Sequence, residues 1–156
     1  MIRRKQFLQW LGSFGLVGAA QAAPKQLPLS NSLPDELARA LMARQPLLVM
    51  ISLHGCPWCM LVRENYLAPM REQDGLHVVQ IDMQSSRVTR TPAGVPTTHG
   101  ALVREWGVKL APTVLFLGAA GKEVAERLPG GSSDFYGAYL DERLVQARRL
   151  SDLERR

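Results

Sequence analysis

Leu47-Leu48-Val49-Met50-Ile51-Ser52-Leu53-His54-Gly55-Cys56-Pro57-Trp58-Cys59 is the stretch on which the fold turns. Residues 47–53 form a near-continuous apolar run of strand length, which suits a strand buried on both faces of a sheet. His54-Gly55 interrupts it. Pro57 then fits the first position of a helix, where its missing N–H has no intrahelical partner to lose. From Cys59 to about Ala68 the chain is helix-compatible, and Pro69 is expected to end that helix.

Cys56 and Cys59 therefore stand three residues apart at a strand-to-helix junction. Residues i and i+3 share a helix face, within reach of disulfide closure. The first-turn N–H groups lack partners, and the dipole places partial positive charge there. Both favour thiolate over thiol, and the thiolate is the attacking species in disulfide exchange. Cys56 reads as the attacking sulfur and Cys59 as the resolving one. A plain structural disulfide is the competing reading. It is disfavoured because so short a loop removes little unfolded-state entropy. Two buried, unreactive cysteines are the other alternative.

Downstream, Leu76–Asp82 reads as a second strand. Residues 83–99 (MQSSRVTRTPAGVPTTH) show no firm period and read as a long loop with at most a short helical turn. Thr98 caps a short helix running through Trp106. Residues 112–117 (PTVLFL) form a third strand. Gly118–Gly121 turns into residues 122–128, a hairpin partner strand. Tyr136, Leu140, Leu144 and Ala147 mark a last helix. Upstream, Ser32 begins a helix with Leu33, Leu37 and Leu41 on one face, ended by Gln45-Pro46. Residues 23–31 are an irregular lead-in. The order α, β, α, β, α, β, β, α over residues 32–152 is one α/β domain.

Residues 1–22 read as a secretory leader. Arg3, Arg4 and Lys5 are its basic start, Phe7–Ala20 its apolar stretch, and Ala20-Gln21-Ala22 its cleavage site. An uncleaved anchor over Gln6–Pro24, 19 uncharged residues, competes, but its glycines and glutamines dilute it. Arg3-Arg4 before Phe7-Leu8 also resembles a twin-arginine signal, one residue out of register. The whole chain of 156 residues carries 19 Lys plus Arg against 14 Asp plus Glu, a net +5. Removing the three basic residues of the leader leaves 16 against 14, or +2. That excess marks export rather than a partner. No basic stripe with interleaved aromatics points to nucleic acid.

From Leu47 to Leu144 the chain resembles the thioredoxin family. Cys56-Pro57-Trp58-Cys59 matches its active-site box, and Trp106-Gly107-Val108-Lys109-Leu110-Ala111-Pro112-Thr113 is similar to its second landmark. The resemblance implies the thioredoxin fold, with a central mixed four-stranded sheet flanked by helices and an insertion at 83–99. It implies a cis Pro112 facing the cysteines and substrate contact through Ala111, Pro112 and Thr113. His54, Gly55, Pro57 and Trp58 would tune the pair. The implied activity is thiol–disulfide exchange in the periplasm, reducing specific partner proteins, with no cofactor beyond the Cys56–Cys59 disulfide. Oxidase or isomerase action by the same pair is the alternative. A monomer is implied, serving protein disulfides or dithiols, with a membrane electron carrier as a further partner.

Departures from the family are Pro-Trp between the cysteines, Gly55 before the first, and Met50 where the family carries a buried acid. The insertion is expected on the cysteine side of the sheet, shaping partner choice, or else as a solvated loop without a role. His54 would stabilise the thiolate as an imidazolium, or be merely solvated. Trp58 would be a flat contact for a partner, or packed under the insertion. From a different class, Cys56, Cys59 and His54 would bind Cu(I) or Zn(II), with His99 as a candidate fourth ligand.

Overall fold

The computed structural model describes residues 23–131 and 134–153, so the expected leader at 1–22 lies outside the described residues. Helix α1 spans Leu33–Met42 and strand β1 Leu47–Ser52. Helix α2, Pro57–Val62, runs through a π-helical segment, Arg63–Leu67, into α3, Ala68–Gln73. Strands β2 (Val78–Asp82), β3 (Val88–Arg90) and β4 (Pro96–Thr98) precede α4, His99–Glu105. Strands β5 (Thr113–Leu117) and β6 (Leu128–Pro129) precede α5, Tyr136–Leu153.

The main sheet has the order β2-β1-β5-β6. β1 runs parallel to β2 and antiparallel to β5, and β6 is antiparallel to β5. Every residue of β1 is buried. Alternate side chains serve two separate cores, as the pleat dictates. Leu48 and Met50 join Val114, Phe116 and residues of α2, α3 and α5. Leu47, Val49 and Ile51 join Leu115, Leu117 and residues of α1 and α4. The domain is thus a mixed sheet between two helical layers, in line with the expected fold class.

Three local expectations are corrected. Pro69 does not end its helix. The Ala68 N–H donates to Arg63 O, five residues back, and this wider turn lets the chain pass a residue that cannot donate and would crowd the carbonyl behind it. Residues 83–99 are not a plain loop. β3 and β4 pair antiparallel from Val88–Thr98 to Arg90–Pro96.

Residues 122–128 do not form a continuous strand. Between the Leu117–Glu123 bridge and the Val114–Leu128 pair, the outer chain carries two more residues than β5. That excess is a bulge, across which Arg127 bonds the Glu123 carboxylate and the Trp106 carbonyl. The irregular lead-in makes an isolated bridge to β2 at Leu29–Gln80. Ser30 N–H donates to Gln80 O, and Gln80 N–H donates to Pro28 O, at 2.9 and 2.8 Å.

The inserted hairpin is tied down by buried polar groups. Ser30 Oγ donates to Glu36 Oε2 at 2.7 Å and lies 3.1 Å from Thr89 Oγ1. Glu36 Oε1 accepts from the N–H groups of Asn31 and Ser32. Glu36 thereby fixes the chain just before α1, while the Ser32 hydroxyl, expected to cap the helix, makes no capping bond among the described residues. At the hairpin tip, Pro92 packs so closely on Gly121 that no Cβ would fit there. Gly121 follows β5, whose end pairs with the start of β1. The tip therefore lies at the end of the sheet remote from Cys56. Only the root of the insertion reaches the cysteine side.

Two predictions follow from the packing. Tyr136 is buried against Tyr66, and its hydroxyl has no hydrogen-bond partner among the described residues. Burial raises its phenol pKa well above the usual range, with the neighbouring Tyr66 adding to the rise. Since an unpaired buried hydroxyl costs stability, Tyr136→Phe should leave the urea midpoint unchanged or raise stability by up to about 1 kcal/mol. A clear loss would show that the hydroxyl is bonded.

His77 has its pKa lowered from 6.5 by burial, then by the Arg39 and Arg71 charges. Its neutral form is favoured on folding. Its contribution is complete above the unfolded value and is lost as pH falls below it. His77→Gln should therefore flatten the acid-side decline of the melting temperature below pH 6.5.

Candidate active site

β1 delivers the chain to the site. After Ser52, Gly55 adopts a φ of 71°, a left-handed turn that a Cβ would strain. Cys56 is then the N-cap of α2. Its Sγ accepts the Cys59 N–H at 3.1 Å. In the dithiol state that same N–H favours a thiolate at Cys56. The two cysteines form a disulfide with Cα atoms 5.2 Å apart. They differ sharply in access. Cys56 is partly exposed, whereas Cys59 is 1% exposed and packs in the core with Met50.

Because β1 lies between β2 and β5, Cys56 has two flanks. On the β5 flank, the Ala111–Pro112 peptide bond is cis. The Ala111 carbonyl oxygen is 3.9 Å from Cys56 Sγ. Thr113 Oγ1 donates to Leu110 O at 2.7 Å, and Gly130 N–H donates to Pro112 O at 2.8 Å. These bonds hold the Pro112 segment beside the disulfide. Gly131 closes this side. A Cβ there would sit 2.8 Å from Val62 Cγ2 and 3.3 Å from both Pro112 Cγ and Trp58 O. Nothing in the local sequence marks Gly131 as part of the site. Its role is set by a contact between segments far apart in sequence.

On the β2 flank lies a cleft of about 520 Å³, whose lining includes Cys56, Met60, Arg63, Gln80, Asp82 and Ser52. Arg63 Nη1 donates to Gln80 Oε1 at 3.2 Å, and Gln80 Nε2 donates to Asp82 Oδ1 at 2.9 Å. His54, Gln84 and Ser85 border the same cleft. The sequence reading also missed Arg63, Gln80 and Asp82. An i, i+4, i+7 spacing of Cys56, Met60 and Arg63 was the available signal.

Cys56, Cys59, Ala111 and Pro112 are brought together, with Pro57 at the first position of α2. Trp58 is 48% exposed rather than packed under the insertion. His54 is exposed at the cleft rim. His99, the candidate fourth metal ligand, is not on a loop and is not available. It is fully buried at the start of α4. Its Nδ1 accepts the Asp82 N–H at 3.2 Å, and its Nε2 lies 2.8 Å from Ser30 O. That pattern fits a neutral ring protonated on Nε2. Among the described residues, no three His, Cys, Asp or Glu side chains converge as a metal site.

A family model described as a thioredoxin-like domain matches residues 33–136. Among solved structures, the thioredoxin NaTrxh from Nicotiana alata superposes with a TM-score of 0.51 at 17% identity. It covers 79% of this chain and 99% of that one. A thioredoxin from Thermus thermophilus gives 0.51 at 22% identity, covering 81% and 91%. Thioredoxin O2 from Arabidopsis thaliana gives 0.52 at 12% identity, covering 80% and 99%. These likenesses show the fold. No curated protein matches the chain.

Filling the Gly131 notch should displace the packed wall beside the cysteines. Gly131→Ala is expected to cost about 1–3 kcal/mol, the usual range for overpacking a fitted site. Denaturant unfolding measures it. A variant as stable as the parent would show that Val62 yields freely.

Proposed function

The chain belongs to the thioredoxin-like domain family, and we propose that it is an exported thiol:disulfide oxidoreductase that reduces disulfides of defined partner proteins. The observation that carries this reading is the asymmetry of the pair. Cys56 is reachable and accepts a helix-start N–H, while Cys59 is sealed beneath it.

In the reduced protein the Cys56 thiolate attacks one sulfur of the partner disulfide. A bond forms between Cys56 and that sulfur, and the other partner sulfur leaves as a thiolate. Cys59 then attacks Cys56 Sγ, closes the Cys56–Cys59 bond and releases the second partner thiol. The partner gains two electrons and the protein loses two. The partner chain would lie along Ala111, Pro112 and Thr113, where the backbone borders the sulfur. Export to the periplasm rests on the residue pattern of positions 1–22. In that compartment, reduction needs electrons brought across the membrane, so a membrane carrier acting on the Cys56–Cys59 disulfide completes the cycle. The protein acts as a monomer in this scheme.

Iodoacetamide should label Cys56 of the reduced protein well ahead of Cys59 at pH 6, as peptide mapping would show. Cys59→Ser should accumulate mixed disulfides through Cys56, and Cys56→Ser should abolish insulin reduction. Equal labelling of both cysteines would remove the assigned roles.

A further inference from the structure

The cleft on the β2 flank of Cys56 carries two opposite charges, neither of them ion-paired among the described residues. Arg63 touches no carboxylate and Asp82 no cation within salt-bridge distance among the described residues. Instead the two are spaced by a single amide. Gln80 accepts from Arg63 through Oε1 and donates to Asp82 through Nε2. Gln80 is itself 8% exposed, so the amide forms the cleft floor with a cation at one end and an anion at the other. Arg63 Nε is buried and has no acceptor among the described residues.

Positions are fixed by the elements. Cys56, Met60 and Arg63 follow one helix face. Asp82 pairs in register with Ser52 and Gln80 with Met50. Passing inward from Cys56 along the cleft, Asp82 therefore comes before Gln80 and Arg63. Its backbone is held by the buried His99 ring.

A ligand that satisfies both charges at once carries an ammonium and a carboxylate close together. The cleft volume of about 520 Å³ lies within the range of small-molecule sites, roughly 300–1,000 Å³. The reactive sulfur is in its wall. We infer that this cleft is a subsite for low-molecular-weight disulfides bearing α-amino acid groups, with Asp82 receiving the ammonium and Arg63 the carboxylate of the half that joins Cys56.

This inference rests on the exchange chemistry proposed above and names a second substrate class for the same pair. The Cys56 thiolate attacks the small disulfide, forming a mixed disulfide and releasing one thiol. Cys59 then closes the Cys56–Cys59 bond and releases the second. The protein dithiol is oxidised by two electrons and the small disulfide reduced to two thiols.

The test oxidises the reduced full chain with four disulfides. L-cystine carries both charges, cystamine only ammonium, dithiodipropionate only carboxylate, and hydroxyethyl disulfide neither. Rates are read by mass spectrometry after acid quench and divided by the hydroxyethyl disulfide rate of the same variant. Arg63→Gln should lower the ratio for cystine and dithiodipropionate by about tenfold, the scale of one charge-assisted contact, and spare cystamine. Asp82→Asn should lower the ratio for cystine and cystamine and spare dithiodipropionate.

Cystine decides the matter because it has no net charge. Long-range steering alone would leave its ratio unchanged, whereas docking loses it in both variants, and the loss persists at high salt. An unchanged cystine ratio in either folded variant overturns the proposal, including the case in which only insulin reduction falls and the cleft reads a polypeptide. Failure of the parent protein to react even with hydroxyethyl disulfide would instead overturn the exchange reading itself. The two arms are independent, so misfolding of one variant leaves the other decisive.

Discussion

The burial of β1 on both faces is the constraint from which the site is laid out. Leu47 through Ile51 send their side chains alternately into two separate cores. The strand cannot slip by one residue without exchanging its two sets of side chains. Its end is therefore a fixed point, and Gly55 turns the chain from it directly into the N-cap cysteine. Register with β2 and β5 then sets what stands on either side of the sulfur. Asp82 lies opposite Ser52, and the Pro112 segment leads into Thr113 opposite Ile51.

Much of this layout can be read from residues 47–59 and 106–117, because buried strands and helix starts leave local marks. An apolar run of strand length, a glycine break, a proline at a first helical position and a second apolar run are all short-range signals. The parts that cannot be read are those decided by distant partners. Thr89 is an ordinary polar residue until Ser30, itself bonded to Glu36, meets its hydroxyl, and it is then fully buried. The hairpin at 88–98 has no alternating apolar pattern, since only one residue of β3 faces inward. Pro69 follows the rule for a helix end by composition, yet the π-helical segment just before it relieves the conflict. The bulge before β6 is likewise invisible, because it depends on Arg127 reaching Glu123 and Trp106.

The same distinction separates the two flanks of Cys56. The Pro112 flank is announced by a contiguous motif. The β2 flank is assembled from a helix, a strand and a lead-in, none of which is distinctive alone. His99 joins these pieces. One ring holds the β2 backbone at Asp82 and the lead-in at Ser30. A histidine that first suggests metal chemistry is thus a neutral brace within the polar framework beneath the cleft.

The bridge between the lead-in and Gln80 has a further consequence for a protein that handles other polypeptides. Without it, β2 would end the sheet as an open rim of unpaired N–H and C=O groups, a template for strand addition. Residues 28–30 occupy part of that rim. The opposite rim is only two residues long and contains Pro129, which has no N–H to offer. The sheet is therefore poorly suited to capturing an extended client strand. A client can be engaged through its sulfur and released when the sulfur bond breaks, with little tendency to remain as an added strand.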